Sequence, residues 1–341
     1  MKLKLSQADM EKTFKSMLDT YKVMAPVKKP FKGTMSDTDA VRYEEVTTFD
    51  QIEFGEKSQF SAREIIQPIT QVLFYFTEED YKIPKAEEKK ILVFLRACDI
   101  HAMDRVDQIY LGNGPVDPYY KQIRDRVEFA LIGCEKSFRN CFCASMGTNK
   151  ADQYALGVKP IEDGVCLDIK AESIKSLFSD HKDQIVSFEM DFVKNNDIQV
   201  ELASELDAQM IADHDMFREY DARCVACGKC NFVCPTCTCF SMQDIFYRDN
   251  ENTGERRRVW SSCHVDGYTD MAGGHGFRKK HGDRMRFKTL HKVHDYEKRF
   301  GKHMCIGCGR CDDACPQYIS FSSCVNKISQ IEGCKSVKEG L

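Results

Sequence analysis

Apolar residues recur at helical spacing near the start of the chain: Phe14, Met17, Leu18 and Tyr21 share a face, Ser6 stands where an N-cap belongs, and Asp9 sits in the first turn. Pro26 and Pro30 are expected to end that helix. Ala62 to Phe76 reads as a helix broken at Pro68 or, at its aromatic end, as a strand. Lys90 to Leu95 and Glu128 to Gly133 are short apolar runs of the buried-strand type, and each leads into a cysteine. Between them Ile100, Met103, Val106, Ile109 and Tyr110 approximate one helical face. This strand, helix, strand order predicts a parallel βαβ unit, with Cys98 and Cys134 at the carboxyl edge of the sheet, where open α/β sheets bind ligands. Further strands are expected at Gly164 to Ile169 and Gln184 to Phe188, and a helix over Val200 to Ile211.

From Arg223 the texture changes to cysteine-rich loops. The seventy residues between the two cysteine runs carry little strand signal and are expected to be mostly helical. The fold class is therefore α+β: a mixed α/β domain over 1–215, followed by a mostly helical ferredoxin-type domain over 216–341. Within the second, Arg278 to Lys302 holds ten Lys or Arg against three acids. That stretch reads as a solvated helix face, or as a docking surface or counter-charge for anionic clusters.

Composition narrows the function classes. The chain has 341 residues, and its net charge of −4, from 49 basic and 53 acidic side chains, argues against nucleic-acid binding. No apolar run approaches the 18 or so residues of a membrane span. The opening MKLKLSQADMEK has no apolar stretch of signal-peptide type, so a cytoplasmic location is expected. The 18 cysteines are the anomaly: six fall between Arg223 and Cys239, whereas the first 97 residues hold none. In a reducing compartment such clustering points to metal ligands rather than disulfides.

Two complete copies of the bacterial ferredoxin run are present: Cys224, Cys227, Cys230 and Cys234-Pro235, then Cys305, Cys308, Cys311 and Cys315-Pro316. Three thiolates two residues apart wrap one loop around three irons of a cube. Small residues (Ala226, Gly228, Gly307, Gly309) let backbone N–H groups approach the sulfides. The fourth cysteine points away and ligates the other cluster. One [4Fe–4S] site is thus expected on Cys224, Cys227, Cys230 and Cys315, the other on Cys305, Cys308, Cys311 and Cys234. Structural zinc would need two cysteine pairs rather than a triple plus Cys-Pro.

A less regular set, Cys98, Cys134, Cys141 and Cys143, either converges on a third cluster or consists of buried apolar thiols. Asp99 and His101 are alternative ligands or ordinary polar groups, and Arg96, Lys136 and Arg139 lie close in sequence as counter-charges. Cys237, Cys239 and Cys263 hold or exchange ligands, form a redox-sensitive group, or simply pack near the clusters. Cys166, Cys324 and Cys334 read as buried thiols. There is no G-x-G-x-x-G after a strand, no Walker loop, no G-x-S-x-G and no H-E-x-x-H. No catalytic residue is expected in the chain; its chemistry is that of an electron wire.

With these motifs placed, together with Arg-Ala-Cys98-Asp-Ile-His, Leu-Ile-Gly-Cys134, Cys141-Phe-Cys-Ala-Ser-Met-Gly147 and Cys234-Pro-Thr-Cys-Thr-Cys239, the chain resembles the iron–sulfur electron-transfer subunit of anaerobic sulfite reductases from about Val41 onward. That family is related to the iron–sulfur beta subunit of soluble nickel–iron sulfhydrogenases. One departure is Ala97, where Pro is expected before the cysteine. The resemblance implies a relay between a flavin-containing, NADH-oxidising subunit and a sirohaem subunit that reduces sulfite to sulfide. The alternative it implies is the equivalent subunit of a hydrogenase. It also favours the third cluster on Cys98, Cys134, Cys141 and Cys143.

Overall fold

The structure, a computed structural model, describes every residue except 36, 207, 213, 332–334 and 337–341. Cys334 therefore lies outside the described residues. The chain divides into two compact units, residues 1–68, 84–138 and 148–194 in one, and residues 69–83, 139–147 and 195–341 in the other. The two early segments belong to the second unit for separate reasons. Residues 69–83 complete a sheet there, and residues 139–147 lie against the second cysteine run.

Among the described residues the strands are, in chain order, β1 (Lys2–Leu5), β2 (Tyr21–Lys29), β3 (Ala40–Glu45), β4 (Thr70–Phe76), β5 (Tyr81–Lys82), β6 (Lys90–Arg96), β7 (Val127–Ile132), β8 (Leu156–Ile161), β9 (Gly164–Ile169), β10 (Ala203–Glu205), β11 (Phe240–Tyr247), β12 (Asn250–Trp260), β13 (Asp270–Met271), β14 (His275–Gly276) and β15 (Lys335–Ser336). The first unit is built on a seven-stranded sheet of order β1-β9-β8-β7-β6-β2-β3. Its centre, β2, β6, β7 and β8, is parallel, and its edges are antiparallel. The helix Ala97–Leu111 connects β6 to β7, so the expected βαβ unit is present. Both central strands are apolar along their length because helices cover the sheet. Leu92, Phe94, Ala130 and Ile132 are buried with Phe14 and Met17 of the helix Gln7–Thr20. Removing any one of these side chains other than Ala130 from water contributes about 1.5–3 kcal/mol.

Ser6 caps that first helix, its Oγ accepting from the Asp9 N–H at 3.1 Å. The helix stops at Thr20, however, before either proline, and Pro26 lies inside β2. β2 pairs with β6 only from Tyr21 to Met24, so the missing N–H of Pro26 costs no hydrogen bond on that side. Gln184 to Phe188 makes a single bridge, Leu3 to Ile185, rather than a strand. Ala62 to Phe76 resolves into one helical turn, Arg63–Ile66, followed by β4. The expected helix over Val200 to Ile211 begins only at Ala208, after β10.

The second unit holds both ferredoxin runs and a four-stranded antiparallel sheet, β11-β12-β4-β5. The stretch between the cysteine runs is thus a long hairpin followed by helices His281–Leu290 and Tyr296–Phe300, with a π-helical turn His291–Asp295 between them. Its core gathers Phe217, Tyr220, Met285, Val293, Phe321, Val325 and Ile328. Among the described residues no helix is long and apolar enough to cross a membrane.

Candidate metal centre

Each ferredoxin run enters its helical turn through a left-handed glycine, Gly228 before Lys229–Phe232 and Gly309 before Arg310–Ala314. These reversals fold each run around a cavity. The first cavity is lined by Cys224, Cys227, Cys230 and Cys315, with Val225, His264, Lys288, Cys311 and Phe321 among its other walls. The second is lined by Cys305, Cys308, Cys311 and Cys234, with Phe142, Thr236, Lys288, Lys292 and Phe321. Three cysteines of one run and the fourth of the other meet at each cavity.

Backbone donors and buried charge complete the walls. Gly307 N–H donates to Cys305 Sγ at 3.4 Å, and Ile319 N–H to Cys315 Sγ at 3.3 Å. Burial pushes the Cys305 thiol up to about 12 against the opposing Gly307 N–H. Burial, helped by the Asp312 carboxylate and opposed by Lys288, holds the Cys311 thiol well above its usual range. Cys234 goes the other way: burial would raise it, but the Lys292 ammonium, helped by the Thr236 hydroxyl, leaves it lowered. Burial would lower Lys288, but the neighbouring Cys230, Cys311 and Cys234 outweigh it and hold the ammonium well above its usual range. Among the described residues neither Lys288 nor Lys292 pairs with a carboxylate; Lys292 instead donates to Thr236 O at 3.0 Å and Oγ1 at 2.8 Å.

An anionic iron–sulfur cube fits these walls. A buried ammonium without a carboxylate needs a negative partner, and thiolates left close together need cations. His264 adds an independent sign: its Nε2 is buried without a hydrogen-bond partner, in a side chain that lines the first cavity and is 2% exposed. Burial, with Lys288 and Arg284 nearby, lowers its pKa to about 3, so the ring is neutral. In that state one tautomer presents an N–H to the cavity, a donor that a sulfide can accept. Among the described residues no three His, Cys, Asp or Glu side chains converge on a single metal ion. Zinc needs four donors within ~2.3 Å of one point.

The other sequence candidates lie elsewhere. Cys98 opens the helix after β6 and Cys134 follows β7, both at the carboxyl ends of parallel strands in the first unit. Cys134 lines a cavity of about 310 Å³ together with Arg96, Lys136 and Lys159. The Arg96 guanidinium donates to Gly133 O at 2.6 Å and approaches Cys134 Sγ at 3.9 Å. Asp99 is buried, and His101 Nε2 is bonded to Lys150 O at 2.7 Å. Cys141 and Cys143 belong to the second unit, where Cys141 Sγ donates to Cys308 O at 3.3 Å and Cys143 Sγ to Asn196 Oδ1 at 3.6 Å.

Cys237, Cys239 and Cys263 form a group of their own. Asn231 Nδ2 donates to Cys263 Sγ at 3.1 Å, and Cys239 and Cys237 both act on that thiol. Cys166 and Cys324 are buried thiols, as expected. Sequence reasoning missed His264 and the individual roles of Lys288 and Lys292. The signal for the lysines was present, since Arg284, Lys288 and Lys292 repeat every four residues and so share one helix face.

Comparison with known proteins agrees with this geometry. Residues 223–319 match the family described as 4Fe-4S dicluster domain. The chain is 28% identical over 328 residues to a protein of Pyrococcus furiosus named Sulfhydrogenase 2 subunit beta, covering 87% of this chain and 92% of the relative. No solved structure gives a significant match. The chain carries a 4Fe-4S dicluster domain after a mixed α/β sheet, and its cofactors are [4Fe–4S] clusters.

Proposed function

We propose that this chain is the electron-transfer subunit of an anaerobic sulfite reductase complex, accepting electrons from a flavin subunit that oxidises NADH and passing them to a sirohaem subunit. Two [4Fe–4S] clusters would be held crosswise, one by Cys224, Cys227, Cys230 and Cys315, the other by Cys305, Cys308, Cys311 and Cys234. The observation that carries the reading is the pair of cavities, each walled by three cysteines of one run and the fourth of the other. When bound, such clusters take up and release single electrons. The chain's own residues would exclude water from the second cavity, offer N–H groups to sulfur and balance charge with Lys288 and Lys292.

A second reading has its own support. The Pyrococcus relative is named a sulfhydrogenase beta subunit, which favours a hydrogenase complex with the same relay role. Sulfite reductase rests on the motif resemblance around Cys98, Cys134, Cys141 and Cys234. Anaerobic affinity purification from the native host tests both. A sirohaem partner together with a flavin partner is the expected result, and a nickel-containing partner replaces it with the hydrogenase reading. The isolated chain should carry about eight irons from these two clusters, or about twelve with the third cluster on Cys98, Cys134, Cys141 and Cys143 that the resemblance favours, and should reduce no sulfite with NADH. Zinc in place of iron and acid-labile sulfide would overturn both readings.

A further inference from the structure

Three side chains line both cysteine cavities: Cys311, Phe321 and Lys288. Lys288 is the charged one. It is 4% exposed, lines both cavities, and acts electrostatically on Cys230 of the first and on Cys311 and Cys234 of the second. Its Nζ lies 5.3 Å from the centroid of the Phe321 ring. Lys292, one turn further along, lines the second cavity alone and is tied to Thr236. The two lysines therefore differ in reach.

On the two-cluster reading above, we propose that Lys288 is a shared tuning residue whose fixed positive charge raises the reduction potentials of both clusters together. Reduction adds one electron to a cube and neither makes nor breaks a bond. The added negative charge appears in a buried medium, where a nearby cation favours the reduced form more strongly than it would in water. A cation placed between two cubes acts on both, and one placed beside a single cube acts mainly on that cube. Lys288 acts through the clusters and touches no substrate, so its place is electrostatic rather than catalytic.

The test is a potentiometric titration of the full chain, purified anaerobically and followed by the EPR signals of the two reduced clusters. In Lys288→Met both midpoints should fall, each by about a tenfold change in the reduction equilibrium, ~59 mV for one electron. Lys288→Arg should restore both. Lys292→Met should lower one midpoint and leave the other near its original value. Two loaded clusters whose midpoints stay put in Lys288→Met, or of which only one moves, overturn the proposal. If Lys288→Met loads poorly, Lys288→Gln gives the same comparison. Loss of iron from Lys288→Arg as well would make the residue structural, which also overturns it. Absence of two [4Fe–4S] signals from the unsubstituted chain would instead sink the two-cluster reading beneath it.

Discussion

The two ferredoxin runs have the same spacing and sit in different surroundings. At the first cavity Cys227 is exposed and Val225 is 54% exposed. At the second Cys308 is 8% exposed, and buried Phe142 forms part of the wall. That wall comes from residues 139–147, held by the Phe142 N–H donating to Gly307 O at 2.7 Å. Gly307 and Gly309 permit that approach, since a Cβ at either position would meet the backbone of Phe142 or Asn140. Identical ligand spacing thus goes with one run that carries an exposed cysteine and one whose matching cysteine is covered by residues 139–147. The difference lies in what packs on the loops, which the ligand motif does not encode.

The largest break in this comparison should come from the ligands. Cys308→Ala should remove about four irons and also loosen the packing of residues 139–147, whereas Cys227→Ala should remove about four with little loss of stability. Cys234→Ser should strip the second cluster and spare the first, because it crosses over. Iron analysis with EPR on anaerobic samples checks all three. Loss of the first signal from Cys234→Ser would show that the crossing is wrong.

Packing on the second cavity can be tested without touching a ligand. Gly309 has φ +68°, and a Cβ there would fall 2.1 Å from Asn140 O; Gly301 has φ +70° with nothing within 4 Å. Gly301→Ala should cost about 1 kcal/mol from backbone strain alone. Gly309→Ala should cost about 3 kcal/mol or more, because residues 139–147 must shift. Denaturant titration measures both, and equal costs would remove the argument that this segment is fitted to the second run.

A smaller effect should appear with pH. Burial first, then the Lys292 charge, lowers the His291 pKa to about 4, and its ring stacks on Phe287 with centroids 5.9 Å apart. The unfolded chain binds that proton near pH 6.5. Stability is therefore full above 6.5 and falls as the pH drops towards 4, by about 3 kcal/mol for this group. His291→Phe should flatten that part of the thermal-midpoint profile, and an unchanged slope would assign the acid loss to other groups.

The smallest effect is at the surface. Lys327 donates to both carboxylate oxygens of Glu219 at 2.7 and 2.8 Å. Although burial opposes it, this pairing holds the Glu219 carboxyl below its usual range. Its stabilisation is present above the unfolded carboxyl pKa and is lost as pH falls through the folded one. Lys327→Ala should cost about 0.5 kcal/mol at neutral pH and less at high salt. A chemical-denaturation series in rising salt would check it, and a salt-independent cost would point to packing instead.

What the sequence made legible follows from which forces leave a pattern. Iron–thiolate chemistry fixes residue spacing, so the dicluster domain was readable from its two cysteine runs. β6 and β7, buried on both faces, left continuous apolar runs. β2 was hidden because its first residue, Tyr21, continues the helical spacing of Phe14, Met17 and Leu18. The hairpin of β11 and β12 left no alternation because most of β11 is exposed, and part of its pairing is electrostatic, as where Arg256 Nε and Nη2 donate to Asp244 at 2.6 Å. The basic stretch suggested a counter-charge, but only tertiary packing distinguishes buried Lys288 and Lys292 from their exposed neighbours. His264 left no mark, since a lone histidine in a loop carries no period.

The crossing of the fourth cysteines is the central claim, and iron anomalous diffraction from an anaerobically grown crystal tests it most directly. The account predicts two separate cubes, with Cys315 bonded to the cube of Cys224, Cys227 and Cys230, and Cys234 to that of Cys305, Cys308 and Cys311. Cys234 bonded to the same cube as Cys224 would contradict it.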